Sequence, residues 1–153
     1  MRSQDYEEFV ESCARHDVRY LIVGAHAVAH YARPRSTKDL DLWIDPTPEN
    51  ARRVLATIRN FLGSDLGLQE KDLTEPGAMV QLGVAPTRID LLNRLAGIPG
   101  FSEAWDRREA GHYGPVDALF LSLEDLIRAK AAAGRERDLE DLRYLRMAQD
   151  SHG

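Results

Sequence analysis

The sequence predicts an α+β fold, and three patterns carry the prediction. Apolar residues recur at helical spacing over 3–16, 47–63, 122–133 and 135–148. They alternate with polar ones over "DLDLWI" at 39–44, the period of a half-buried strand. They run unbroken and β-branched through "VRYLIVG" at 18–24, as in a buried central strand.

Each element has its own local reason. Tyr6, Phe9, Val10 and Cys13 form one stripe on helix 3–16. "AHAVAHYA" (25–32) continues the first strand as a short helix, stopped by Pro34. Helix 47–63 has Thr47 as N-cap, Pro48 at its first position and Gly63 beyond its end. Residues 63–77 are polar and glycine-rich and predict a mobile loop. "AMVQLGV" and "RIDLL" predict two strands joined as a hairpin by Ala85, Pro86 and Thr87. Residues 94–117 predict irregular chain around "FSEAWDRRE". Two helices follow, 122–133 behind the capping box Ser122-Leu123-Glu124-Asp125 and 135–148, with Gly134 between them.

The 153 residues fit a single domain, 1–153, of ordinary globular composition, with 43% hydrophobic and 29% charged residues. No apolar run approaches the ~20 residues that span a bilayer. The acidic, amphipathic start does not resemble a secretory signal. A lone cysteine, Cys13, cannot form an internal disulfide, and an inert buried thiol is favoured over a reactive one. A cytoplasmic location is expected. Net charge −5 argues against a broad nucleic-acid-binding surface.

Acids are depleted in strands, yet Asp39 and Asp41 lie two apart in 39–44, on one face and about 6.5–7 Å apart at the backbone. Asp90 in "RIDLL" adds a third carboxylate if its strand pairs alongside. Three acids so close need a proton or a cation, and hard divalent cations take oxygen ligands. The acid pattern alone supports equally a metal site and an arrangement in which Asp39 caps a loop while Asp41 and Asp90 pair with Arg35, Lys38 or Arg88. Upstream, a strand that ends in Gly24 and enters a helix directly offers bare backbone N–H groups to a phosphate.

"VGAHAVAHYARPRSTKDLDLWI" resembles the nucleotide-binding signature of the polymerase-beta-like nucleotidyltransferase superfamily. Val23-Gly24-Ala25 is followed after thirteen residues by Asp39-Leu40-Asp41-Leu42, and Asp90 matches the third carboxylate. Ala25 stands where that superfamily has Gly or Ser, which keeps a small side chain and the N–H but not a hydroxyl. "LEDLIRAKAAAGRERDLEDLRYL" is similar to the Lys…Arg-x-x-Asp helical motif of bacterial abortive-infection-type, toxin-like nucleotidyltransferases. The resemblance covers 18–44, 79–92 and 119–145.

It implies a short mixed sheet flanked by helices, with a C-terminal helical hairpin, and transfer of a nucleotidyl group from an NTP to a hydroxyl of RNA or protein. It also implies Mg²⁺, or Mn²⁺ in its place, held by Asp39, Asp41 and Asp90, with Asp90 helping to deprotonate the acceptor. This raises the metal reading above ion pairing. Nucleotide contacts are expected from Gly24, Ala25, Thr37, Lys38, Lys130, Arg135 and Asp138.

Lys130 shares a helical face with Leu123 and Leu126, and Asp138 with Leu142 and Leu145. Either Asp138 orients Lys130 toward phosphate, or the two close the hairpin as an ion pair. Arg33 and Arg35 could touch phosphate or be solvated. His26 and His30 have a spacing that can bind zinc, but packing is favoured. Trp43 is favoured as a core aromatic over a base-stacking one. The rival function is a non-catalytic nucleotide-binding or regulatory component of a toxin–antitoxin-like pair, with a cognate antitoxin-like protein as partner.

Overall fold

A computed structural model describes residues 3–34, 39–84 and 87–152. In chain order it contains α1 (Ser3–Arg15), β1 (Tyr20–Val23), α2 (Gly24–Tyr31), β2 (Asp39–Ile44), α3 (Pro48–Leu62), α4 (Lys71–Thr74), β3 (Met79–Val84), β4 (Thr87–Leu92), α5 (Phe101–Asp106), β5 (Glu109–Tyr113), β6 (Val116–Phe120), α6 (Leu123–Ala133) and α7 (Glu136–His152).

Helix punctuation follows the sequence closely. The Thr47 side chain accepts from Asn50 N at the start of α3, and Gly63 ends it in the left-handed region at φ 80°. Ser122 caps α6 by accepting from Asp125 N at 3.1 Å. The other half of that box is not made. Asp125 instead accepts Arg107 Nε at 2.9 Å and Nη2 at 3.0 Å, because α5 brings that guanidinium over the helix start.

The strands form one mixed sheet in the order β3-β4-β2-β1-β6-β5. β2 runs antiparallel to β1 and parallel to β4, and β6 runs parallel to β1. Leu40, Leu42, Ile89 and Leu91 alternate with the acids and are buried in the core. α1 packs on α3 and β6, while α2 packs on β1, β2 and the α6–α7 hairpin. Among the described residues, no helix is long and apolar enough to cross a membrane. Cys13 is buried, and burial pushes its thiol pKa far up, as expected of an inert thiol.

Two expectations are corrected. Residues 94–117 are not irregular: they hold α5 and most of a second hairpin, β5–β6, turned by Gly114-Pro115 with Gly114 at φ 58°. β5 is an edge strand exposed along most of its length, so it carries no alternating apolar signal. Segment 63–77 is also more than a loop. It includes α4, buries Leu73 and is tied down by Asn93, whose Nδ2 donates to Leu73 O (2.9 Å) and Glu75 O (2.7 Å). Gly77 N donates to Asn93 Oδ1 at 3.0 Å. Ala85 and Pro86 lie outside the described residues.

Asn93→Ala should therefore cost about 1–3 kcal/mol, since it strands the buried Leu73 carbonyl and removes the bonds to Glu75 O and Gly77 N. Urea denaturation would read the loss, and hydrogen exchange should accelerate over 71–78.

Candidate active site

Antiparallel pairing of β1 with β2 sets Val23 opposite Asp41, so the β1–α2 turn meets the acid strand at one end of the sheet. Gly24 is held at φ 68°, a region that favours glycine. A Cβ there would collide with Asp41 Oδ2 and come within 3.2 Å of its Cγ. The missing side chain thus makes room for a carboxylate. Val23, the N-cap of α2, makes no side-chain capping bond, which leaves the first N–H groups of that helix to other acceptors. Ala25 follows in the first turn.

Parallel pairing of β2 with β4 sets Asp41 opposite Asp90 and Asp39 opposite Arg88. All four side chains therefore rise from the same face. Arg88 Nε donates to Asp90 Oδ1 at 2.9 Å, and its Nη2 lies 3.5 Å from Asp39 Oδ2. Asp41 is in neither bond. Burial pushes the Asp41 pKa up to about 6, with Asp90 and Asp39 adding to the shift and Lys130 and Arg88 opposing it. Ion pairing through Arg88 is therefore real for Asp39 and Asp90. The oxygen donors of the three acids are of the kind a hard divalent ion takes. Among the described residues, no three His, Cys, Asp or Glu side chains are grouped closely enough to hold a metal as they stand.

Beside this face, a cavity of about 220 Å³ is lined by Gly24, Asp41, Lys130, Arg135 and Asp138 over an apolar wall that includes Leu92, Leu95 and Leu126. It joins five of the residues expected at the site. Asp39 and Asp90 flank Asp41 outside its lining, as does Ala25, and Thr37 and Lys38 lie outside the described residues. A larger cavity of about 820 Å³ lies at the other end of β1, beside Tyr20 and Trp105, and none of the three acids lines it.

The hairpin ion pair is present. Lys130 Nζ lies 3.3 Å from Asp138 Oδ1 and 3.1 Å from Asp141 Oδ2. Asp138 also accepts Arg135 N at 3.2 Å and Nε at 2.7 Å, so it caps α7 while holding both cations. Burial works against its charge, but Arg135 and Lys130 outweigh burial and hold its carboxyl below the usual range.

Asp141, fully buried, escaped the sequence reading, although its three-residue spacing from Asp138 put both on Lys130's side. Tyr6 also escaped it. Its hydroxyl oxygen accepts the main-chain N–H of Arg88, and burial, with Asp39 next, raises its pKa. Arg33 is drawn to α7, 3.3 Å from Glu140 Oε1, with its guanidinium 3.9 Å from the Tyr144 ring centroid.

The remaining candidates pack. His26 makes edge contacts with Tyr6 and Tyr113, and burial lowers its pKa. His30 stacks on Phe120 at 3.8 Å and bonds Glu109 Oε2 at 2.9 Å. Trp43 is a core aromatic, edge-on to Phe101 at 5.4 Å.

A glycine turn into a helix, with an acid pair on the next strand and a third acid beside it on a short mixed sheet, is the arrangement that the sequence's resemblance to nucleotidyltransferases implied. The chain belongs to the family described as "Nucleotidyltransferase of unknown function (DUF6036)", whose model matches residues 4–150. No curated protein matches it. Its fold is similar to that of the lincosamide antibiotic adenylyltransferase LnuA, in a lincomycin-bound crystal structure, with a TM-score of 0.57 at 12% identity over 95% of this chain and 97% of that one. The α+β class, the mixed sheet and the C-terminal helical hairpin are as expected.

Two outcomes follow from the Gly24–Asp41 contact. Gly24→Ala should destabilise the protein by on the order of 1–3 kcal/mol, through both the collision and the positive φ, read as a fall in urea midpoint. Asp41→Asn should do the reverse in EDTA. The fold holds the Asp41 proton more tightly than the unfolded chain does, so stability falls as pH rises from about 4 to about 6. The variant avoids that fall: it should be more stable at pH 7 by on the order of 1–2 kcal/mol and lose the advantage below about pH 4.

Proposed function

We propose that this protein transfers a nucleotidyl group from an NTP to a hydroxyl of RNA or protein. The acceptor oxygen bonds to the α-phosphorus as the bond to pyrophosphate breaks. The observation that supports this best is the seating of Asp41 against Gly24, in register with Asp90, in a cavity that Lys130 and Arg135 also line. A carboxylate and two cations in one cavity suit a polyanion that arrives with a metal ion.

In this reading Asp39, Asp41 and Asp90 hold Mg²⁺, or Mn²⁺. The ion supplies charge stabilisation for the attacking and departing oxygens. Lys130 and Arg135 bind the triphosphate, and Asp138 keeps both cations aimed. The N–H groups at the start of α2, at Gly24 and Ala25, take a phosphate oxygen, and Thr37 and Lys38 serve as further nucleotide contacts. Asp90, beside Asp41 and largely buried, takes the acceptor proton.

The protein would work in the cytoplasm of a bacterium, as the toxin-like half of a pair with an antitoxin-like partner. The support for that setting is the motif from Lys130 to Asp138 on α6 and α7.

Incubation with α-labelled NTP and Mg²⁺ in a lysate tests the reading. Label should move onto an acceptor with the wild type, and transfer should fall about 100-fold or more with Asp41→Asn. Loss of product to RNase or to protease names the acceptor class. Survival of both would indicate a small molecule, the kind of acceptor named for the adenylyltransferase LnuA. Label released only as free nucleotide or phosphate would refute transfer, and NTP binding without reaction would indicate a regulatory component.

A further inference from the structure

Arg88 sits where a cation bridging Asp39 and Asp90 belongs. It is the register partner of Asp39 and lies two residues before Asp90, so its side chain leaves the sheet on the acid face. The guanidinium donates Nε to Asp90 Oδ1 at 2.9 Å and brings Nη2 within 3.5 Å of Asp39 Oδ2. The main chain beneath is fixed, with β4 paired on both sides and the Arg88 N–H donating to the Tyr6 hydroxyl. The side chain is 31% exposed and can withdraw without disturbing the strand.

We infer that Arg88 is a built-in counter-ion that competes with the divalent cation for Asp39 and Asp90 and must withdraw when the cation enters. The inference rests on the reading that these acids hold the ion. A divalent ion bound to Asp39 and Asp90 would lie against the guanidinium that holds the same two carboxylates, and two cations so close repel, so the two occupants oppose each other. Apparent affinity for the ion alone is then reduced by the fraction of molecules in which Arg88 is withdrawn. A triphosphate brings further oxygens to the ion and a negative charge to the freed guanidinium. Metal and nucleotide therefore bind cooperatively, each raising affinity for the other by the same factor.

Mn²⁺ binding followed by electron paramagnetic resonance tests this on the full chain, without nucleotide, in wild type, Arg88→Met and Arg88→Lys. Arg88→Met should bind Mn²⁺ about tenfold tighter, a typical coupling, and should melt at a lower temperature than wild type in EDTA, with Mn²⁺ restoring it. Arg88→Lys keeps the charge but not the two-point grip, and should bind tighter than wild type and less tightly than Arg88→Met. If Arg88→Met does not fold, the lysine variant alone decides the matter, and affinity equal to wild type overturns the inference. Equal, measurable affinity in all three proteins overturns the counter-ion role and leaves the metal site standing. No Mn²⁺ binding by any of them overturns both.

Discussion

The contact on which the site depends is that of the Asp41 carboxylate with a residue that has no side chain. Gly24 leaves space that any Cβ would take from Asp41, and it does so at a positive φ that the turn from β1 into α2 imposes. Burial and two neighbouring carboxylates make that seat hostile to charge, which is why Asp41 holds its proton to about pH 6. The underside of the sheet makes this tolerable. Leu40, Leu42, Ile89 and Leu91 are buried there, each contributing about 1.5–3 kcal/mol, so strand pairing is secured by the face away from the acids.

The cations are arranged to fix position rather than to add stability. Lys130 lies between the buried carboxylates of Asp138 and Asp141, and Arg135 grips Asp138 from the exposed side. Buried ion pairs of this kind barely repay their desolvation, but removing one partner leaves an uncompensated charge, so the arrangement is rigid. That rigidity ties the α6–α7 hairpin to the cavity that Asp41 and Gly24 open onto. The 820 Å³ cavity lies away from Asp39, Asp41 and Asp90, while the smaller one holds Asp41 together with Lys130 and Arg135.

The legible parts of the chain were those in which a local pattern has one physical meaning. Thr47 and Ser122 start helices and Gly63 and Gly134 end them, through their own backbone and side-chain chemistry and where expected. The alternation at 39–44 assigned both acids to one face before any partner strand was known. Strand β5 was not legible, because an edge strand exposed along most of its length has no apolar period to show. Segment 63–77 was misjudged because its order comes from Asn93, a distant side chain whose bonds to Leu73, Glu75 and Gly77 leave no mark on the local sequence.

The sequence by itself therefore determined the class of fold, the common face of Asp39 and Asp41, the glycine at the helix entry and the helical faces of Lys130 and Asp138. Each follows from short-range periodicity or from the stereochemistry of one residue. Only the tertiary structure decided that Asp41 and Asp90 are register partners, that Gly24 yields its space to Asp41, that Asp141 shares Lys130, and that Arg88 lies between two of the acids. These depend on strand order and on contacts between residues far apart in the chain, and no local pattern encodes which of several nearby cations reaches a given carboxylate. For Arg88 the deciding fact was its place opposite Asp39 on a neighbouring parallel strand.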